Sequence, residues 1–357
     1  MAHAGPALQG ALAAALPGVP FVGATSCLGV GTTGAGFVGG RAVTGMFLAG
    51  DGFEFAVACG ARSGSPAALG AGLGRALTGV IPRPRFALMH ATPGHEEGVL
   101  AALVGELGRG AELIGGTAAD DDLTGRWYVF SHEGVVSDGV AVAACDWPWR
   151  LATHYQGGYV PTDKRGTITR STGRELLEID GQPAAAVYNG WIGGALDAEL
   201  AHGGNVLAKT TLCPLGVVRD VGGAELHVLA HPERVDPHTG GLRFFAELGV
   251  GERVVLMRST PTALERRGAN VAERALTWAK LDPRDVLGGV FIYCGGCLLA
   301  IADRARPMVQ AFDDALGARP FVSHFAFGEQ GCVFPSSPAD HGNLMASVLL
   351  LSALPER

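Results

Sequence analysis

Short apolar runs separated by glycine-rich polar turns set the pattern of this chain. Strand-like runs fall at Phe21–Cys27, Ala42–Leu48, Phe53–Cys59, Phe86–His90, Trp127–Phe130 and Val135–Cys145, with a hairpin turn at Glu133-Gly134. Helical spacing appears at Pro6–Leu16, Ser65–Leu77 and Leu100–Leu107, the last carrying Leu100, Leu103, Val104 and Leu107 on one face. The second half repeats the mixture. Strands are expected at Thr167–Arg170, Glu175–Ile179, Glu225–Ala230, Leu242–Glu247, Arg253–Arg258, Val286–Cys294 and Phe321–Phe327, and a last apolar segment at Met345–Leu351 is strand by length, with a helix as the alternative. Helices are expected at Pro183–Ile192, Pro261–Lys280 and Ala305–Leu316. The longest begins after a cap at Thr260 and places Val271, Ala275 and Trp278 on one face. This pattern predicts an α/β (α+β) chain in two parts, with mixed sheets flanked by helices.

Two glycine turns stand out. The run Glu112-Leu113-Ile114-Gly115-Gly116-Thr117-Ala118-Ala119 leads from an apolar strand into Asp120, Asp121 and Asp122. An earlier stretch, Phe21-Val22-Gly23-Ala24-Thr25-Ser26-Cys27, has the same character, offset by 92 positions (Gly115 against Gly23), and reads as a weak internal repeat of the N-terminal half. Gly29-Val30-Gly31-Thr32-Thr33-Gly34 is a literal G-x-G-x-x-G, but no helical period follows it. A dinucleotide fingerprint needs a helix to open there, so a loop running into a strand is the expectation.

Composition narrows the function. The 357 residues suit two domains, placed at 1–180 and 181–357, and the 48% hydrophobic content suits a sizeable core. A net charge of −7 without a basic stripe argues against nucleic acid as a partner. Apolar runs such as Val286–Ile292 fall far short of the ~20 residues that span a bilayer, so no membrane insertion is expected. No signal-peptide pattern opens the chain, and seven scattered cysteines read as free thiols in a reducing, cytoplasmic compartment.

Candidate chemistry is sparse. Cys294-Gly295-Gly296-Cys297 is a C-x-x-C, open to a redox role, a metal role or a purely structural pair of thiols. A zinc site would need two further ligands, and there is no second C-x-x-C. Asp120 can meet a cation or an amine, or simply sit on a solvated turn. Glu329 follows Gly328 at a strand end, where sites in α/β proteins gather, and can equally bond buried amides. His90, His95, His231, His238, His324 and His341 are dispersed, without metal-ligand spacing, and no nucleophile elbow is present. No metal and no cofactor are expected.

Several of these stretches resemble the FIST (F-box and intracellular signal transduction) family. The run Ile114–Asp120 is similar to the signature of its N-terminal half, and Val22–Ser26 to its first glycine turn. Leu176–Tyr188 resembles the hinge between halves. Pro214–Val217, Gly249–Met257, Phe291–Cys294 and Phe325–Glu329, followed by Asn343, resemble the C-terminal half. The resemblance runs from about Pro20 to Leu350. Three departures accompany it. The opening strand of the family is absent, leaving a sheet edge missing or supplied by a partner. Cys297 stands where the family carries Arg, and Met345 where it carries Thr.

The resemblance implies a sensory module that binds a small ligand, an amino acid or related metabolite, in a pocket at or between the halves, and passes its state to a downstream signalling protein. It points to Thr25, Gly115, Gly116, Asp120, Cys294, Gly328, Glu329 and Asn343 as ligand-binding residues, with none catalytic. The Gly115 and Gly116 amides would meet a carboxylate, and Asp120 or Glu329 an amine. A homo-oligomer is compatible with this. The alternatives are a thiol- or carboxylate-dependent enzyme using Cys294, Cys297 and Glu329 on a small metabolite, or an interaction scaffold.

Overall fold

Val-, Ile-, Leu- and Ala-rich runs buried on both faces become central strands, and two six-stranded mixed sheets built from them stack face to face. The computed structural model describes residues 4–108, 110–333 and 337–356. The first sheet runs in the order Ala339–Gly342, Glu329–Cys332, Glu112–Thr117, Phe86–Ala91, Gly139–Cys145 and Phe55–Ala61. The second runs Gly36–Gly39, Gly29–Thr32, Phe321–Ala326, Val286–Cys294, Ala346–Pro355 and Trp149–Gln156. Their plans match. At the heart of each is a parallel pair, joined by the helix Glu96–Leu107 in the first and by Gly295–Ala300 and Ala305–Ala315 in the second. Antiparallel strands flank both pairs.

The outer hairpins are exchanged between the ends of the chain. Glu329–Cys332, late in sequence, pairs with Glu112–Thr117 of the first sheet. Gly29–Thr32, early in sequence, pairs with Phe321–Ala326 of the second. Gly29-Val30-Gly31-Thr32 is therefore a hairpin strand, as the missing helical period foretold.

Helices cover the outer faces, giving four layers. Pro66–Val80 and Glu96–Leu107 bury Leu73, Leu77, Leu100 and Leu103 against Met89 and Val142. Pro261–Ala279 and Ala305–Ala315 bury Val271, Ala275, Met308 and Phe312 against Phe291 and Phe325. The two long helices start alike. The side chains of Ser65 and Thr260 accept the Ala68 and Ala263 amides, and proline follows each cap. Between the sheets lie Phe86, Ile114, Trp147, Val290, Ile292, Leu349 and Leu351. Residues 160–258, between the edge strand Trp149–Gln156 and the helix Pro261–Ala279, form a nine-stranded sheet with its own core around Ile168, Leu176, Tyr188, Leu215, Phe244 and Val254.

Three expectations change. Ala42–Leu48 forms no strand; it is an extended loop that tucks Met46 and Leu48 against the inter-sheet core and leaves Phe47 exposed. Trp278 is 41% exposed and rests edge-on against the His154 ring at 4.4 Å, so the buried stripe of its helix stops short of it. The Gly23 and Gly115 turns occupy unlike places. Val22–Ala24 belongs to a small antiparallel sheet with Val129–Ser131, and the repetition visible in the fold lies between the two six-stranded sheets. Among the described residues no helix is long and apolar enough to cross a membrane.

Candidate functional site

A buried polar cluster forms where the strand Val286–Cys294 ends and the Gly295–Ala300 helix begins. Glycine at 295 keeps this turn close-packed: a Cβ there would lie 3.1 Å from Cys27 Cβ and 3.2 Å from the Ala326 carbonyl oxygen. Cys294 and Cys297 are both buried free thiols. Into this corner the long helix sends Arg267, which is 0% exposed. Its Nη1 donates to the Gly157 carbonyl at 2.8 Å and to the Leu344 carbonyl, and its guanidinium lies 4.2 Å from the centre of the Tyr293 ring. Its Nε and Nη2 have no hydrogen-bond partner. Tyr159 donates to the Thr211 carbonyl at 2.7 Å, with its oxygen 3.5 Å from Cys297 Sγ.

The exchanged hairpin brings the acid. Glu329 is fully buried; its Oε2 accepts the Met345 amide at 2.8 Å, and its Oε1 has no partner. The Tyr155 hydroxyl donates to its backbone carbonyl at 3.0 Å. Asn343 Oδ1 accepts the His231 amide at 3.4 Å, while Nδ2 has no partner.

The charges here do not cancel in the usual way. An arginine keeps its proton in proteins, and a buried cation is costly without an anion. Among the described residues, no carboxylate forms an ion pair with Arg267. Burial drives the Glu329 carboxyl well above the usual range, which favours its neutral form. Burial drives the Cys294 thiol up as well. Burial opposes ionisation of Cys297 too, but hydrogen bonding from Cys294 and the Arg267 charge outweigh it and lower its pKa. Cys297 is thus the group of this corner whose ionised form Arg267 favours.

Of the residues singled out in the sequence, Cys294, Glu329 and Asn343 meet here, with Gly328 one step away; a Cβ on Gly328 would fall 2.4 Å from His341 Cε1. Of the other four, Gly116 and Gly115 lie directly across the sheet from Glu329 and Gln330, while Thr25 and Asp120 sit on neighbouring loops. Gly115 and Gly116 sit mid-sheet, paired by strands on both sides. A Cβ on Gly116 would come 2.6 Å from His324 Nδ1 and 2.9 Å from Ile292 Cγ2 of the facing sheet. Thr25 accepts the Tyr128 amide at 3.1 Å through Oγ1, and its carbonyl accepts from His324 Nε2 at 3.1 Å. Asp120 accepts the amides of Leu123, Thr124 and Arg126 at 2.7, 3.0 and 2.9 Å, which ties its own loop.

Arg267 was missed. It lies one and two helical turns before Val271 and Ala275, on the buried face, and a charge inside an apolar stripe was the available signal. The departures at 297 and 345 also look different in three dimensions. Position 297 carries no guanidinium, yet Arg267 brings one beside it, and Met345 serves through its amide on Glu329.

A second polar cluster lies on the opposite side of the exchanged strand. Gln330 Nε2 bridges Thr117 Oγ1 at 3.1 Å and His341 Nδ1 at 2.9 Å, and Thr117 donates to Glu96 at 3.1 Å. Glu96, Glu97 and His341 could each offer an atom to a metal, all within 4.8 Å of one another. Arg174, from the 160–258 segment, already bridges both carboxylates at 2.6 and 2.7 Å, so the place of a cation is filled from within.

Comparison with known proteins agrees with this architecture. The chain is 33% identical over 76 residues to an uncharacterized protein of Methanocaldococcus jannaschii, a match that covers 21% of this chain and 15% of that protein's length. The FIST N domain profile matches residues 2–182 and the FIST C domain profile residues 184–332. The two matched segments hold the early hairpin and most strands of the paired sheets, stopping short of Ala339–Gly342 and Ala346–Pro355, and the chain belongs to the FIST family, a sensory domain of signalling proteins.

Proposed function

We propose that this chain senses a small metabolite bearing a carboxylate and an amine, an amino acid or a close relative, at the Arg267–Glu329–Asn343 cluster. One observation carries the reading. Arg267 Nε and Nη2, Glu329 Oε1 and Asn343 Nδ2 are buried and lack partners within one corner of the fold. Each such atom costs about 1–3 kcal/mol when left unpaired, and a ligand that bonds them recovers that cost. A guanidinium with two free N–H positions suits a carboxylate, and the Glu329 carboxyl, whose neutral form burial favours in the empty site, gives up its proton when an ammonium group comes to Oε1. The carboxylate role first given to the Gly115 and Gly116 amides passes to Arg267.

The cluster also offers a route to a signal. Thr211 and His231, both from the 160–258 segment, line it beside Tyr159. A ligand that draws on this corner alters how that segment rests on the sandwich, and a cytoplasmic partner would read the difference. The two arrangements shift in population only as far as their ligand affinities differ.

The test is calorimetry and thermal shift with individual amino acids on the purified chain and on Arg267→Lys and Glu329→Gln. A ligand at about 100 times its Kd should stabilise by about 2.7 kcal/mol. Both variants should weaken binding at least tenfold while retaining the native circular dichroism. Binding unchanged in folded Arg267→Lys, or no binding of any amino acid, rejects the reading. Consumption of a bound ligand would move the assignment to an enzyme.

A further inference from the structure

The ligand reading leaves one feature unused: two buried thiols, three residues apart, beside a buried arginine that no carboxylate pairs with. We propose that Cys294 and Cys297 form a peroxide-responsive dithiol, with Cys297 as the attacking sulfur, Arg267 as its counter-ion and Glu329 as the proton donor.

The arrangement supports each role. Arg267 is wholly buried; its Nη1 donates to the carbonyls of Gly157 and Leu344, and its charge favours the ionised form of Cys297. A nearby anion is what makes such a cation tolerable. Cys297 Sγ sits 3.5 Å from the Tyr159 hydroxyl, and the thiolate form is favoured there in spite of burial. Glu329 is the fully buried acid of the corner, with Oε1 unengaged and its neutral form favoured by burial. The site is closed, which selects for a small neutral oxidant. Hydrogen peroxide fits that demand better than a bulky disulfide.

The steps balance. The Cys297 thiolate attacks one peroxide oxygen, and the O–O bond breaks. The departing oxygen takes the Glu329 proton and leaves as water. The products are a Cys297 sulfenic acid, a Glu329 carboxylate and one water. The negative charge has moved from sulfur to carboxylate, so Arg267 keeps an anion throughout. The Cys294 thiol then attacks the sulfenic sulfur. An S–S bond forms, the S–O bond breaks, and the hydroxyl leaves with the thiol proton as a second water. The dithiol has lost two electrons and the peroxide has gained them.

The protein supplies a clean readout. Trypsin releases residues 285–304 as one peptide, and its only cysteines are Cys294 and Cys297. After brief treatment of the intact chain with hydrogen peroxide, that peptide should be two hydrogens lighter, and a dithiol reductant should restore it. In Cys294→Ser the oxidation should stop at a sulfenic acid on Cys297, trapped by a 1,3-diketone. In Glu329→Gln the rate of peroxide consumption should fall about a hundredfold, the range of a lost general acid. The proposal is overturned if the 285–304 peptide stays reduced in the folded protein while half-buried Cys59 and Cys332 oxidise. It is overturned equally if Cys294 is sulfenylated in Cys297→Ser, or if Glu329→Gln reacts as fast as the parent. Every measurement is made without a ligand, so a chain that oxidises this way but binds no amino acid keeps this proposal and loses the other.

Discussion

Gly116→Ala tests how closely the two sheets are stacked. Gly116 lies on the strand Glu112–Thr117 and faces the second sheet. An added methyl would stand 2.6 Å from His324 Nδ1, 2.9 Å from Ile292 Cγ2 and 3.0 Å from His324 Cε1. Ordinary contact begins near 3.4 Å, so the overlap reaches most of an ångström. Neither neighbour can yield cheaply. His324 is anchored through Nε2 to the Thr25 carbonyl at 3.1 Å, and Ile292 is 0% exposed in the inter-sheet core. Overpacking of this kind costs about 1–3 kcal/mol. At ~2.1 cal/mol/K of unfolding entropy per residue, a chain of this length loses about 1.3 °C of Tm per kcal/mol, so the expected fall is about 1.5–4 °C. Urea denaturation gives the free energy directly. Gly72→Ala is the matched control. That glycine lies within the helix Pro66–Val80 with nothing within 4 Å of its added Cβ, so the change should stabilise by about 0.4–1 kcal/mol. A Gly116→Ala protein within about 0.5 kcal/mol of the parent would refute the packing argument, because surface changes fall in that range.

Three further outcomes follow from the same coordinates. Burial holds His90 and His324, 5.1 Å apart between ring centres, at pKa values of about 4 and about 3. In the unfolded chain both protonate near pH 6.5, so stability is full above that point and falls as pH drops from 6.5 towards 4, by up to about 1.4 kcal/mol per pH unit for each histidine. Urea titrations across this window should show the slope, and His324→Asn should flatten it by one proton; no proton uptake on unfolding would reject the assignment. Thr260→Ala should cost about 1 kcal/mol by losing the cap on the Ala263 amide, with Thr260→Asp restoring it. Arg174→Met should cost about 3–5 kcal/mol, because it leaves the buried Glu96 carboxylate and its neighbour Glu97 without their cation; the check is the same urea assay, with a cost under 1 kcal/mol counting against a buried pair.

Local signals in the sequence were read well where local forces decide. Thr260 and Pro261 announced the long helix, and the apolar run from Val286 to Cys294 announced a central strand, because caps and burial act over a few residues. The meeting of Cys294, Glu329 and Asn343 was suggested by family resemblance rather than by spacing. The strand exchange left no local trace. Gln330 and Thr117 bond across 213 positions, and nothing in either neighbourhood names the other. Ala42–Leu48 is apolar enough for a strand, yet no neighbouring edge pairs with it, and only the finished fold reveals that. Arg267 was hidden for a similar reason. Its helix was plain, but the thiol beside it comes from a turn on another element.

The exchanged hairpins also fix when this protein can be finished. As the chain emerges from the ribosome, the strands from Phe55 to Cys145 are complete early, yet the first sheet lacks its outer pair until residue 342 has been made. Until then the Glu112–Thr117 edge, with its two glycines, stays open to any extended segment nearby. The early hairpin at Gly29–Gly39 waits longer still for Phe321–Ala326. Both sheets are completed only by the last part of the chain, so a ribosome stalled in the second half holds an unfinished surface rather than a folded first half.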